Sequence, residues 1–194
     1  WMICEAETPA AMTVHDLLDW LVTRRGLLDG VCVSGGEPTI HSDLPDLLRD
    51  IKELGFAVKL DTNGTRPDVL AALLDAALLD FVALDLKAPF DERYSRVTRR
   101  PVDATLIRRS MALLRQGGVE YEYRTTVGPG LAEADLFDLA CEIAPGERWM
   151  LQAFVFTPHV SPDLAGAPAL SQEALVSLAA RLRGAAAGVG VRGA

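Results

Sequence analysis

The sequence predicts an α/β fold built on a mainly parallel sheet. Three observations carry this expectation. Short apolar runs rich in Val, Phe and Leu alternate with stretches of helical periodicity. The runs begin near residues 31, 57, 81, 120 and 149, so each interval of 26, 24, 39 and 29 residues has room for a helix. Each run is apolar at its start and polar at its end. Strands joined through helices form right-handed parallel crossovers. The residues alone therefore fit either a partial barrel or a doubly wound sheet.

The elements follow in order. Thr13 can cap a helix running to Arg25, with Val14, Leu17, Leu18 and Leu21 on one face and Gly26 as its stop. The first strand is Val31-Cys32-Val33, leading into Ser34-Gly35-Gly36-Glu37-Pro38. Asp43 can cap the next helix, which carries Leu44, Leu47, Leu48, Ile51 and Leu54 at helical spacing and ends at Gly55. Ala57–Leu60 is the second strand and ends in Asp61-Thr62-Asn63-Gly64. A helix over 67–78 starts with Pro67 in its first turn. Phe81–Leu84 is the third strand and ends in Asp85-Leu86-Lys87. A helix over 103–116 stops at Gly117-Gly118, and Tyr121-Glu122-Tyr123 leads into Arg124-Thr125-Thr126. Residues 133–143 form a helix, Met150–Phe156 the fifth strand, and 171–186 the last helix. Residues 158–170, rich in Pro, Ala and Gly, are a loop.

Composition narrows the function classes. The chain has 194 residues, 49% hydrophobic and 24% charged, which is ordinary globular usage. We expect one domain over 1–194, with the core motifs in 13–157 and a loop, helix and tail in 158–194. A chain of this size buries roughly 70% of its unfolded surface, so it needs no disulfide staples. Nineteen basic residues against 27 acidic ones give a net charge of −8. That balance argues against nucleic acid, whose binding needs a clustered basic face. The one dense basic stretch, Arg93 to Arg109, is expected to be a solvated face or a docking surface for an acidic partner. Three cysteines are too few and too odd in number for a secreted disulfide framework. No apolar run reaches the ~18 residues of a membrane span, and no signal peptide is visible. A cytoplasmic protein with no membrane partner is the expectation.

In a parallel sheet all C-terminal strand ends lie on one rim, where such folds hold ligands. Glu37, Asp61, Asn63, Asp85, Lys87 and Arg124 are expected there. Asp85 and Lys87 are two residues apart, so their side chains share a face. Gly35 and Gly36 allow backbone groups to approach a ligand without interference from Cβ. Each position could also be an ordinary turn or ion pair.

These residues bear a resemblance to a known family. Ser34-Gly35-Gly36-Glu37-Pro38-Thr39 resembles the GGEP motif of radical S-adenosylmethionine (SAM) enzymes. Asp61-Thr62-Asn63-Gly64, Asp85-Leu86-Lys87, and Arg124 followed by Gly128-Pro129-Gly130 resemble, in the same order, the activases of glycyl-radical enzymes. Arg124-Thr125-Thr126-Val127 and Leu151-Gln152-Ala153-Phe154 are most similar to the activating proteins of anaerobic ribonucleoside-triphosphate reductases. The closing Val189–Gly193 stretch has the look of that branch. The resemblance implies a partial (β/α)6 TIM-like barrel that uses SAM and a [4Fe–4S] cluster. It implies reductive cleavage of SAM to a 5′-deoxyadenosyl radical, which takes hydrogen from a partner's glycine. An electron donor such as flavodoxin or ferredoxin is implied as well. In this reading Gly35, Gly36 and Glu37 suit the SAM amine, through backbone carbonyls or the carboxylate. Lys87 and Arg124 suit its carboxylate or ribose, and Asp61, Asn63 and Asp85 orient sugar or ammonium.

The family's CxxxCxxC motif, which holds the cluster, is not present in this sequence. Cys4 stands about where the third cysteine of that triad would fall and is the one candidate metal ligand. The first strand of the barrel and the cluster loop are expected to be missing, by truncation or by true loss. Cys32 and Cys141 are expected to be buried packing residues. His15 and His41 read as solvated, His159 as a loop residue, and Trp149 and Phe154 as core. Gly188–Gly193 matches GxGxxG but precedes no helix, so it fails as a dinucleotide site. Three alternatives stay open: another radical SAM reaction, a SAM- or partner-binding domain without a cluster, and an unrelated (β/α) enzyme such as an aldolase. An aldolase would make Lys87 a nucleophile with a depressed pKa, which Asp85 beside it opposes.

Overall fold

The computed structural model describes residues 12–156, 162–164, 166 and 170–192. The elements in chain order are α1 (Val14–Val22), β1 (Gly30–Val33), a 3-10 turn (Pro38–Ile40), α2 (Leu44–Glu53), β2 (Ala57–Thr62), α3 (Pro67–Asp75) and β3 (Phe81–Asp85). They continue with α4 (Glu92–Thr98), α5 (Ala104–Gln116), β4 (Glu120–Val127), α6 (Glu133–Ala140), β5 (Trp149–Ala153), a second 3-10 turn (Pro162–Leu164), α7 (Gln172–Leu182) and β6 (Val189–Val191). The strands follow sequence order in one six-stranded sheet. β1–β2, β4–β5 and β5–β6 pair in parallel. The expected α/β class is thus observed.

The chain divides into two compact units. The unit holding residues 12–83 and 106–121 contains α1, α2, α3, α5 and the strands β1 and β2. Thr13 caps α1: its hydroxyl accepts from the Asp16 amide, and the Asp16 carboxylate accepts from the Thr13 amide. Pro67 occupies the first turn of α3, where a missing N–H costs nothing. In β2 the period of two sorts the side chains. Val58, Leu60 and Thr62 are buried, while Ala57, Lys59 and Asp61 lie on the opposite face. The buried set packs with Leu48, Ile51, Leu70 and Val82 into the core of this unit.

The unit holding residues 84–105 and 122–192 contains α4, β4, α6, β5, α7 and β6. Its core is built on Leu84, Tyr94, Tyr123, Trp149, Leu151 and Leu175. Trp149 is fully buried and satisfies its ring N–H on the Thr125 hydroxyl at 2.9 Å. That hydroxyl in turn donates to the Leu86 carbonyl at 2.6 Å. The sequence expectation of a core Trp149 and Phe154 holds.

One helix and one strand are absent from the sequence reading. α4 has only seven residues and no apolar period. β6 has three residues, in a Gly-Val-Gly-Val run that propensity does not favour. The cysteine expectation is corrected. Cys32 and Cys141 are both exposed. Cys32 lies on the strand that begins the sheet order, on the same face as its register partner Lys59. Cys141 is the residue that ends α6, and its thiol donates to the Phe137 carbonyl. No helix among the described residues is long and apolar enough to cross a membrane.

Candidate functional site

Each unit carries one polar cluster at its strand ends. In the first unit, β1 ends in an exposed Gly35-Gly36 turn with φ of 99° and 55°. An L side chain rarely adopts either angle. Among the described residues, a Cβ at either position would meet nothing within 4 Å. Glu37 follows and is buried, at 9% exposure. Its Oε1 accepts from the Thr39 amide and hydroxyl at 3.2 and 2.6 Å, and from the Thr62 hydroxyl at 2.7 Å. Its Oε2 accepts from the Asn63 amide at 2.6 Å. Asn63 Oδ1 accepts from the amide and hydroxyl of Thr65, which fixes the turn after β2. Asp61 accepts from Lys59 at 2.6 Å, and that ammonium lies 5.7 Å from the Phe81 ring centroid.

The second unit gathers Asp85, Lys87 and Arg124. Asp85 Oδ2 accepts from Lys87 Nζ at 3.1 Å. Its Oδ1 accepts from Arg124 Nε and Nη2 at 3.1 and 2.9 Å. The three side chains are 27%, 16% and 12% exposed, which is dry enough for their charges to matter. A concave pocket over this group is completed by Val97, Gly128 and Phe154. Tyr94, packed against Phe90, lies beneath with its hydroxyl directed at the Asp85 carbonyl. Burial pushes the Tyr94 hydroxyl well above the usual phenol range, so it stays neutral. Two cations around one carboxylate form a site suited to an anionic group.

The sequence-predicted residues therefore fall into two groups. Gly35, Gly36, Glu37, Asp61 and Asn63 belong to the first unit; Asp85, Lys87 and Arg124 belong to the second. Residue reading missed Thr39 and Thr62, which saturate Glu37. The signal was available, because Thr62 sits in the quoted strand-end motif and alternation turns it inward. It also missed the Gln152 amide donating to the Thr126 hydroxyl at 2.7 Å, a cross-strand pair set by the β4–β5 register.

The iron–sulfur group that the resemblance implies needs several thiolates at close spacing. Among the described residues no set of His, Cys, Asp or Glu side chains is placed to hold a metal ion. The described residues do not fit a [4Fe–4S] cluster. Cys4 lies outside the described residues.

Comparison with known proteins gives this geometry its family. A Methanocaldococcus jannaschii protein, provisionally named a glycyl-radical enzyme activating enzyme, is 34% identical over 157 residues, 76% of this chain. The match covers 63% of that protein, so this chain spans less than two thirds of the relative's length. A domain of the pyruvate-formate lyase-activating enzyme from Bacteroides vulgatus superposes with a TM-score of 0.65 at 18% identity, over 84% of this chain and 99% of that one. SuiB of Streptococcus suis, solved with S-adenosylmethionine bound, gives a TM-score of 0.68 at 14% identity, over 97% of this chain and 45% of that one. These two likenesses speak for the fold, which is similar to the partial TIM barrels of radical SAM proteins. The profile of the radical SAM superfamily matches residues 6–140, well over half of the sequence. The chain belongs to the radical SAM superfamily.

Proposed function

We propose that this chain is the SAM-binding part of an activase-type radical SAM protein that serves a glycyl-radical enzyme. The observation that carries the reading is the 34% identity, over three quarters of the chain, to a relative named for that activity. The chemistry of the two clusters agrees with it. SAM carries an ammonium, a carboxylate and ribose hydroxyls. The open Gly35-Gly36 backbone offers carbonyl acceptors to an ammonium. Lys87 and Arg124 offer charge-assisted hydrogen bonds to a carboxylate or ribose. Asp85 holds both cations in place, and Asp61 and Asn63 supply polar side chains at the tip of β2.

SAM bound there would, on one-electron reductive cleavage that releases methionine, supply the 5′-deoxyadenosyl radical that takes a hydrogen atom from a partner's glycine. The described residues hold no ligand set for the cluster that would deliver the electron, so we assign them binding and orientation of SAM. The partner we assign is a glycyl-radical enzyme such as anaerobic ribonucleotide reductase, with a flavodoxin or ferredoxin as electron donor and the cytoplasm as compartment.

Titration calorimetry of the chain with SAM tests this reading. Saturable binding of SAM is expected. Arg124→Ala or Lys87→Ala removes one member of a part-buried charge group and should cost about 2–5 kcal/mol, at least a ~30-fold loss of affinity. No binding by the wild-type chain, or unchanged affinity in both variants, would overturn it.

A further inference from the structure

We propose that Thr125 is a positioning residue: its hydroxyl, aligned by the Trp149 ring N–H, holds the Leu86–Lys87 peptide against β4 and so fixes where Lys87 stands relative to Arg124. The hold is a property of the fold alone, whereas the ligand it serves rests on the SAM reading above.

Side chains of one face recur at every second position of a strand. Tyr123, Thr125 and Val127 are the buried set at the end of β4, and Tyr123 and Thr125 have Trp149 and Leu151 as register partners on β5. Packing alone asks for an apolar side chain at 125, yet a threonine stands there at 1% exposure. A buried hydroxyl costs free energy unless it is hydrogen-bonded. This one has two partners of fixed sense. An indole N–H can only donate, and a carbonyl can only accept. The hydroxyl therefore accepts from Trp149 at 2.9 Å and must turn its single proton on the Leu86 carbonyl at 2.6 Å. Trp149 and Leu86 are fully buried, so water does not compete for either bond. β3 ends at Asp85, and Leu86 lies just past it. The Leu86 amide donates to the Arg124 carbonyl at 2.8 Å. Leu86 is thus held to β4 on both sides, by its N–H through the main chain and by its C=O through Thr125. That C=O belongs to the peptide group whose nitrogen is the Lys87 amide. Lys87 and Arg124 both donate to Asp85, so their spacing is what the charge group depends on. All these residues lie in one compact unit. Thr125 acts on the main chain that carries both cations.

Titration calorimetry with SAM on four variants tests the hold. Thr125→Val keeps the shape of threonine and removes the hydroxyl, which leaves the Leu86 carbonyl and the Trp149 N–H without their partner. A ligand bond to a charged group that is lost to misalignment predicts roughly tenfold weaker SAM binding. Thr125→Ser keeps the hydroxyl and should restore the affinity. Trp149→Phe removes the ring N–H, lets the hydroxyl turn, and should fall between the two; it carries the same comparison if Thr125→Val does not fold. Leu175→Ala empties part of the same unit's core without touching this chain of bonds. It should melt lower and, where it is folded, bind SAM as the wild-type chain does. A Thr125→Val chain that melts lower but binds SAM unchanged would reduce Thr125 to a packing residue and overturn the proposal. So would equal weakening in Leu175→Ala, or a Thr125→Ser chain as weak as Thr125→Val.

NMR shifts read the hold without any ligand. In Thr125→Val the Lys87 amide and the Arg124 Nε–H signals should both move, and Thr125→Ser should return them. Unmoved Lys87 and Arg124 signals in Thr125→Val would overturn the hold. A wild-type chain that binds no SAM would overturn the SAM reading, and the same two signals would still decide the hold.

Discussion

Gly128 shows how one missing methyl shapes the second cluster. A Cβ there would lie 2.7 Å from the Phe154 Cβ and 3.0 Å from its Cγ. Phe154 is 3% exposed and cannot swing into solvent. Both residues line the pocket over Arg124. Gly128→Ala should therefore act as overpacking and cost about 1–3 kcal/mol, read as a lower denaturant midpoint with an unchanged slope. SAM affinity should fall in parallel, because the strain enters at the pocket wall. Gly35→Ala is a different case. Among the described residues its Cβ meets no atom within 4 Å, so the cost expected is backbone strain at φ 99°. An unchanged midpoint for Gly128→Ala would mean that the wall yields freely and that Gly128 has no packing role.

At the scale of elements, α4 is held by one arginine. Arg93 Nε and Nη2 donate to Asp91, the helix cap, and its Nη1 donates to Asp135 and Asp138 on α6. Asp135 also accepts from the Ala132 amide, so one carboxylate starts α6 and fastens α4 to it. The Arg93 guanidinium and the Arg93 amide lower the Asp91 carboxyl to about 2. A carboxylate lowered on folding adds stability above its unfolded value near 3.8, and that stability is lost as pH falls towards 2. Thermal melts should show this loss between about pH 4 and pH 2. Arg93→Ala should lower the melting temperature at pH 7 and flatten that acid limb. An acid limb of the same slope in Arg93→Ala would remove the assignment. This clamp also marks where sequence reading stops. Helices such as α2 were legible because Leu44, Leu48 and Ile51 recur on one face. α4 was hidden because its stability comes from charges 42 and 45 residues away, a pairing that no local period reports. The site divides in the same way. Strand-end positions and glycine turns are local signals, and they marked Gly35, Glu37, Asn63, Asp85 and Arg124. The spending of Glu37 on Thr62, 25 residues downstream, is tertiary.

For the whole molecule, ligand binding and folding are one equilibrium. A ligand that binds only the folded chain stabilises it by RT ln(1 + [L]/Kd), about 2.7 kcal/mol at a hundredfold excess over Kd. For a chain of this length each kcal/mol raises the melting temperature by roughly 2–4 °C. SAM at that excess should therefore raise the melting temperature by about 5–11 °C. The shift should grow with the logarithm of SAM concentration, because it reports mass action. The core does not depend on the ligand: Leu84 is fully buried on β3, and Leu84→Ala should cost about 2–5 kcal/mol with or without SAM. Arg124→Ala should do the reverse, melting close to the wild-type chain alone and losing most of the SAM-dependent rise. The two variants thus separate stability held in the apolar core from stability lent by the ligand. A melt of the wild-type chain that stays fixed up to millimolar SAM would show that the rim residues bind no SAM in this chain. Asp85, Lys87 and Arg124 would then be a structural ion group and nothing more.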